Sequence, residues 1–255
     1  MLAEAADEMA EVKRIYLTDS DKARAEGLAS RLKKGIVVES VEEELYHCDL
    51  VIESATQEAA KAIIPKVVAR GVDIMVMSVG ALVDDDYRKS VTEKAAECEA
   101  KIYIPSGAVC GTDGLRSSSM GKLDEVELIA IQGPKTLSGV DYVINKGIDV
   151  GKLTEKTVVY SGTAREAVQM FPKNVNVAAT VSLLGIGFDR TKVTIVMDPE
   201  THSNSYELKL KGEFGEMDCS TYNVPAPDNP KTSYLSAMSA ISALKRIVRN
   251  EWIGI

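Results

Sequence analysis

Apolar residues in the first hundred positions fall in short runs, each followed by a longer stretch of helical period. Residues 1–10 read as an Ala- and Glu-rich helix already under way at Met1, with no Ser, Thr, Asp or Asn cap ahead of it. Residues 12–18 read as a strand closing on Asp19. Residues 21–32 follow as a helix stopped by Gly35, 36–38 as a short strand and 41–46 as an acidic helix. The alternation continues with a strand at 49–53, a helix at 57–69 ended by Gly71, a strand at 73–77, a helix at 84–100 and a strand at 101–105. Strands of about five residues between helices of about 10–15 predict βαβ units and a parallel sheet.

After Gly121 the period changes. Residues 125–131, 192–197, 205–211 and 216–222 alternate apolar and polar positions, as half-exposed strands do. Short strand 157–160, helical 164–171 and 176–184, and a final helix from Tyr234 to about Asn250 complete this half, with residues 228–233 expected to cap that last helix. Residues 134–156 give no clear period. The expected fold is α/β: a Rossmann-type parallel domain over 1–108, its first strand missing, then an α+β domain over 109–255 with a mostly antiparallel sheet. The C-terminal helix 231–250 is a candidate to pack back on the first domain.

At 255 residues, 45% hydrophobic and 27% charged, the chain has the composition of a globular protein with a sizeable core. A net charge of -8 argues against nucleic acid or an anionic membrane as partner. No apolar run approaches the roughly 20 residues of a membrane span, and the first residues lack the pattern of a signal peptide, so a cytoplasmic protein is expected. The four cysteines form no C-x-x-C pair and are expected to be free thiols; with two histidines, a histidine-rich metal site is excluded.

The candidate chemistry lies at strand ends. Residues 101–115 deliver a strand, stopped by Pro105, into the small-residue loop Ser106-Gly-Ala-Val-Cys-Gly111, a place where α/β proteins bind ligands. Asp19 ends a strand, where a carboxylate accepts ribose hydroxyls and favours NAD over NADP; Asp19-Ser20-Asp21 is also a good helix cap, and Arg24 nearby weakens the NAD preference. The small polar loops holding Ala55, Ser78 and Gly80 follow strands as well. No G-x-G-x-x-G turn precedes a helix, so either the true start lies upstream of Met1 or part of the phosphate site is lost. Cys110, with His202 as base, offers a nucleophile, against the plainer reading of a small residue filling a tight loop. Lys173, Asn174 and Asn176 precede or begin an Ala-rich helix, and Lys231 precedes another.

Four runs in order then resemble one family: Ile104-Pro-Ser-Gly-Ala-Val-Cys-Gly111, Phe171-Pro-Lys-Asn-Val-Asn-Val-Ala-Ala-Thr180, Gly212-Glu-Phe-Gly-Glu-Met217 and Asn229-Pro-Lys-Thr-Ser-Tyr-Leu235 are similar to L-aspartate dehydrogenase. The resemblance implies a homodimeric enzyme that oxidises the CH–NH2 group of L-aspartate to iminoaspartate with NAD or NADP. It also implies a link to quinolinate synthase and pyridine nucleotide biosynthesis. It places Ala108 and Asn176 at nicotinamide-cofactor positions. The family histidine falls on Tyr206; His202, four residues upstream, is roughly 13 Å away along an extended strand. A phenol is a poor base at neutral pH. Tyr206, or less favourably His202, is therefore the catalytic candidate, with Lys173, Arg165 or Lys231 for the substrate carboxylates. The alternative is a dehydrogenase-like binding or sensor protein without turnover.

Overall fold

The computed structural model describes residues 1–171, 176–201, 204–227 and 229–250. The chain divides into two compact units. One is built from Met1–Ser78, Asp84–Pro105 and the stretch from Ala237 onward, the other from Val79–Val83 and Ser106–Ser236.

The first unit runs α1 (Leu2–Glu8), β1 (Ile15–Leu17), α2 (Lys22–Ala29), β2 (Gly35–Val37), α3 (Val41–Glu44), β3 (Leu50–Glu53), α4 (Gln57–Val68), β4 (Asp73–Val76), α5 (Asp85–Glu97) and β5 (Ile102–Tyr103). Every strand pairing in it is parallel, as the strand–helix rhythm predicts. The four helices after α1 are each opened by a side chain that accepts from a backbone N–H of the first turn: Asp21, Ser40, Thr56 and Asp84. Pro65 lies inside α4, where it cannot donate to the Lys61 carbonyl. The Tyr87 hydroxyl from α5 donates to that carbonyl instead, at 3.0 Å.

The sheet comes in two pieces, β2–β1 and β3–β4–β5; among the described residues no strand pairs with the second edge of β1 or of β3. Both pieces share a core. Ile15 of β1 and Leu50 and Ile52 of β3 pack against a buried cluster of Ala6, Met9, Met75, Ala240 and Leu244. Asp7 secures α1 beside β2, its carboxylate accepting from the backbone N–H groups of Lys33 (3.0 Å) and Lys34 (2.8 Å). The Lys33 N–H is the main reason that carboxyl is held below the usual range. The expected strand 12–18 is shorter than its apolar pattern, and Gly35 opens β2 rather than stopping α2.

The second unit contains α6 (Thr112–Ser118), β6 (Leu123–Gln132), α7 (Pro134–Leu137), α8 (Asp141–Asn145), β7 (Thr157–Thr163), α9 (Ala164–Met170), α10 (Asn176–Leu184), β8 (Lys192–Met197), β9 (Ser205–Gly212), β10 (Gly215–Tyr222), β11 (Pro225–Ala226) and β12 (Asn229–Ser233). Helix α11 (Tyr234–Arg249) starts here and continues into the first unit. The sheet order is β10-β9-β6-β8-β7. Only β6 and β8 pair in parallel, so the sheet is mostly antiparallel as expected. Val126, Leu128, Ala130 and Gln132 of β6 are buried at every second position, which is the period that marked the strand. Residues 229–233 are not merely a cap: they form β12, paired antiparallel with β11. No helix among the described residues is long and apolar enough to cross a membrane.

Candidate functional site

In the first unit the candidates gather at the C-terminal ends of parallel strands. Asp19 is exposed two residues beyond β1, and its Oδ1 accepts from the Asp21 N–H at 2.9 Å. The cap of α2 is Asp21, whose Oδ1 accepts from the Ala23 N–H at 3.2 Å. Of the two readings of Asp19-Ser20-Asp21, capping thus belongs to Asp21, leaving the second carboxylate oxygen of Asp19 without a described partner. Arg24, read as a weakness in the NAD preference, pairs with Asp21 at 3.3 Å.

At the end of β3 the chain buries a carboxylate, 5% exposed, at Glu53. Its Oε1 accepts from the Ala55 N–H (2.7 Å) and the Ser78 hydroxyl (2.9 Å), its Oε2 from the Ser78 N–H (3.0 Å). One side chain therefore fixes the loops after β3 and β4, which hold two cofactor candidates, Ala55 and Ser78. Sequence reading passed over this role. The signal was present: an acidic residue directly ending the apolar run Leu50-Val-Ile52, where a strand leaves the core.

In the second unit Gly80 and Asn176 come together. Gly80 is buried in a 3-10 turn, Val79–Val83, and its N–H donates to Asn176 Oδ1 at 3.2 Å. Asn176 is the first residue of α10, and its own carbonyl takes the Thr180 hydroxyl at 3.0 Å. The small-residue loop lies next to the same helix: a Cβ placed on Gly107 would be 3.7 Å from Val177 Cγ2. Ala108 is buried, and its carbonyl accepts from both Thr221 Oγ1 and Asn223 Nδ2 at 3.1 Å. Its N–H meets no acceptor among the described residues. Thr221 and Asn223 are positioning residues that the sequence did not single out; the alternating strand 216–222, which Asn223 directly follows, carried the only hint.

Two glycines, Gly111 at the end of the loop and Gly114 in α6, sit tightly against β10. Gly111 adopts φ +78°, and a Cβ there would stand 2.8 Å from Cys219 Sγ. A Cβ on Gly114 would stand 2.7 Å from Met217 Sδ. The loop is small because β10 presses against it.

Tyr206 is buried in β9, directly across from Thr221 on β10 and Ala130 on β6. Residues opposite each other in antiparallel strands share a face, so its ring lies on the face whose Thr221 holds Ala108. Burial alone pushes the phenol up to about 12, so it stays protonated at neutral pH and can donate a hydrogen bond but not take a proton.

Other candidates are not brought to this cluster. Arg165 is engaged elsewhere: Nε and a terminal nitrogen clasp Asp189 at 2.5 and 2.8 Å, and the other terminal nitrogen donates to the Val83 carbonyl at 2.8 Å. Its guanidinium is thus forked onto a carboxylate of the chain itself, so a substrate carboxylate would compete with Asp189 for it. Cys110 is not an activated nucleophile, because burial, then the neighbouring Cys219, raise its thiol above the usual range. His202 and Lys173 lie outside the described residues, as does the side chain of Lys231.

Residues 113–247 match the family model "Aspartate dehydrogenase, C-terminal", and residues 1–105 match "Homoserine dehydrogenase, NAD binding domain". The chain is 46% identical to the L-aspartate dehydrogenase of Methanosarcina acetivorans, covering 93% of this chain and 88% of that protein. It is 42% identical to the L-aspartate dehydrogenase of Methanothermobacter thermautotrophicus over 95% of this chain and 89% of that one. The solved aspartate dehydrogenase of Thermotoga maritima superposes with a TM-score of 0.73 at 25% identity, covering 99% of this chain and 93% of that chain. By its matched C-terminal model and by identity to relatives over nearly its whole length, the chain belongs to the L-aspartate dehydrogenase family.

Proposed function

We propose that this protein oxidises L-aspartate to iminoaspartate with a nicotinamide dinucleotide. The observation that carries the proposal is the convergence of Gly80, Asn176 and the Ala108 loop within a unit whose sequence matches the aspartate dehydrogenase model. The residues suit the cofactor. Asp19 offers a carboxylate oxygen for ribose hydroxyls and favours NAD over NADP. Ala55 and Ser78, in the loops after β3 and β4, are the next cofactor positions, while Gly80, Ala108 and Asn176 serve the nicotinamide. When bound, the nicotinamide supplies the acceptor for the hydride that leaves the amino-bearing carbon.

The chain's own residues orient and hold protons. Thr221 and Asn223 fix the carbonyl of Ala108, which leaves its N–H as the group to meet a ligand. Tyr206, protonated at working pH, acts as a hydrogen-bond donor that polarises or orients the substrate, not as the base. Lys173 and Lys231 remain the cations proposed for the two substrate carboxylates. The protein acts as a cytoplasmic homodimer and passes iminoaspartate to quinolinate synthase. The test follows NADH absorbance on mixing the protein with NAD and L-aspartate. Turnover that falls in an Asn176→Ala variant, with the fold retained, supports the reading; cofactor binding with no turnover on any amino acid overturns it.

A further inference from the structure

The loop 106–111 and the first turn of α6 pack along one face of β10. Thr221 reaches Ala108, Cys219 meets position 111 and Met217 meets positions 111 and 114. These three β10 residues alternate along the strand and therefore share a face. Position 110 falls between Ala108, held by Thr221, and Gly111, against Cys219. A Cβ built on Gly111, the residue after Cys110, would lie 3.3 Å from the Cys219 Cβ, so β10 packs directly against the chain at this point. The Cys110 and Cys219 side chains are themselves within hydrogen-bond reach, and both are half-buried, not sealed in the core. The other two cysteines, Cys48 and Cys98, belong to the first unit.

We propose that Cys110 and Cys219 form a redox-active thiol pair, a modification site that closes to an intramolecular disulfide with a peroxide or a low-molecular-weight disulfide as oxidant. With hydrogen peroxide, one thiolate attacks the O–O bond to give a sulfenic acid, hydroxide leaves as water, and the second thiol displaces a second water as the S–S bond forms. Two thiols and one peroxide yield one disulfide and two waters, with two electrons passing from sulfur to oxygen. With an external disulfide, two successive exchanges release two small thiols. Burial and the neighbouring Cys219 favour the protonated Cys110 thiol, which lowers its thiolate fraction and slows its attack on an oxidant. Closure adds a covalent link to the hydrogen bonds by which β10 holds the Ala108 loop.

The experiment treats the full chain with hydrogen peroxide or glutathione disulfide, counts thiols and maps peptides without reduction. Of the four thiols, two disappear, the monomer loses two hydrogens in mass, a peptide joining Cys110 to Cys219 is found, and a dithiol reductant restores all four. Cys110→Ser and Cys219→Ser each abolish that peptide, while Cys48→Ser and Cys98→Ser leave it intact. The wild-type peptide map decides the matter even where a serine variant folds poorly. Four thiols surviving both oxidants, oxidation that stops at single-cysteine adducts, or linkage through Cys48 or Cys98 would overturn the proposal.

Discussion

Replacing Glu53 by Ala is expected to loosen the first unit and weaken cofactor binding with it. The side chain is 5% exposed and accepts three hydrogen bonds, two from Ser78 and one from the Ala55 N–H. Ala55 is exposed, so water can replace its lost acceptor. Ser78 is 7% exposed, and its N–H and hydroxyl would be left buried without a partner. Each such orphan costs about 1–3 kcal/mol, partly offset because a carboxylate no longer has to leave water. A net loss of about 3 kcal/mol follows, and at roughly 2–4 °C per kcal/mol for a chain near this size the unfolding midpoint drops by about 6–12 °C.

Ser78→Ala removes one donor and leaves the carboxylate two of its bonds, so it costs only about 1 kcal/mol. Because the two residues share bonds, the double variant is less destabilised than the sum of the singles, by about 1 kcal/mol. Urea unfolding followed by circular dichroism measures all four proteins, and NAD titration on the same samples reads the effect on the loops. A Glu53→Ala protein within about 0.5 kcal/mol of wild type, or strict additivity in the cycle, would refute the reasoning.

Two further outcomes are expected. Arg165→Ala removes the fork onto Asp189 and the bond to the Val83 carbonyl; it lowers stability by about 1 kcal/mol and leaves KM for L-aspartate unchanged within about twofold. A tenfold rise in KM at unaltered stability would return Arg165 to the substrate. Tyr206 has its phenol raised from 10.0 to about 12 in the fold, so the native state holds a proton that the unfolded chain releases between those values. Its contribution is complete below pH 10 and lost as pH rises towards 12. Tyr206→Phe therefore flattens the alkaline fall of stability by up to one proton, about 1.4 kcal/mol per pH unit, and denaturation series from neutral to alkaline pH that run parallel in variant and wild type would contradict this.

Elements bounded by strong local signals were legible to the residue. Helix α10 starts at Asn176 and stops before Gly185, and β8 is the alternating run from Lys192 to Met197. What local pattern cannot carry is the identity of a neighbour. β6 alternates in the same way whether its partner is antiparallel β9 or parallel β8, so the mixed order of the second sheet was out of reach. Residues 229–233 offer good capping types, yet β11 recruits them into a hairpin. Gly35 resembles a helix stop, but its smallness answers a tertiary demand: a Cβ there would stand 3.1 Å from both Ala29 Cα and Leu32 Cβ.

The same division governs the site. Strand ends pointed to Asp19 and to the loop holding Gly80, because those depend on where strands stop, whereas Ala108 and Asn176 were singled out as cofactor positions through the family resemblance. Which of Asp19 and Asp21 caps α2 is decided by backbone angles, and which loop glycines face a ligand is decided by β10. The first unit's strands pair as β2–β1 and β3–β4–β5, and the candidates of that unit lie where these parallel strands end. Asp19 follows β1, and the Glu53–Ser78 clasp joins the ends of β3 and β4. Each is held locally: Asp19 sits in a turn closed by its own neighbour, and Glu53 is anchored through β4. The positions proposed for the cofactor in this unit therefore rest on contacts within one turn or one strand pair.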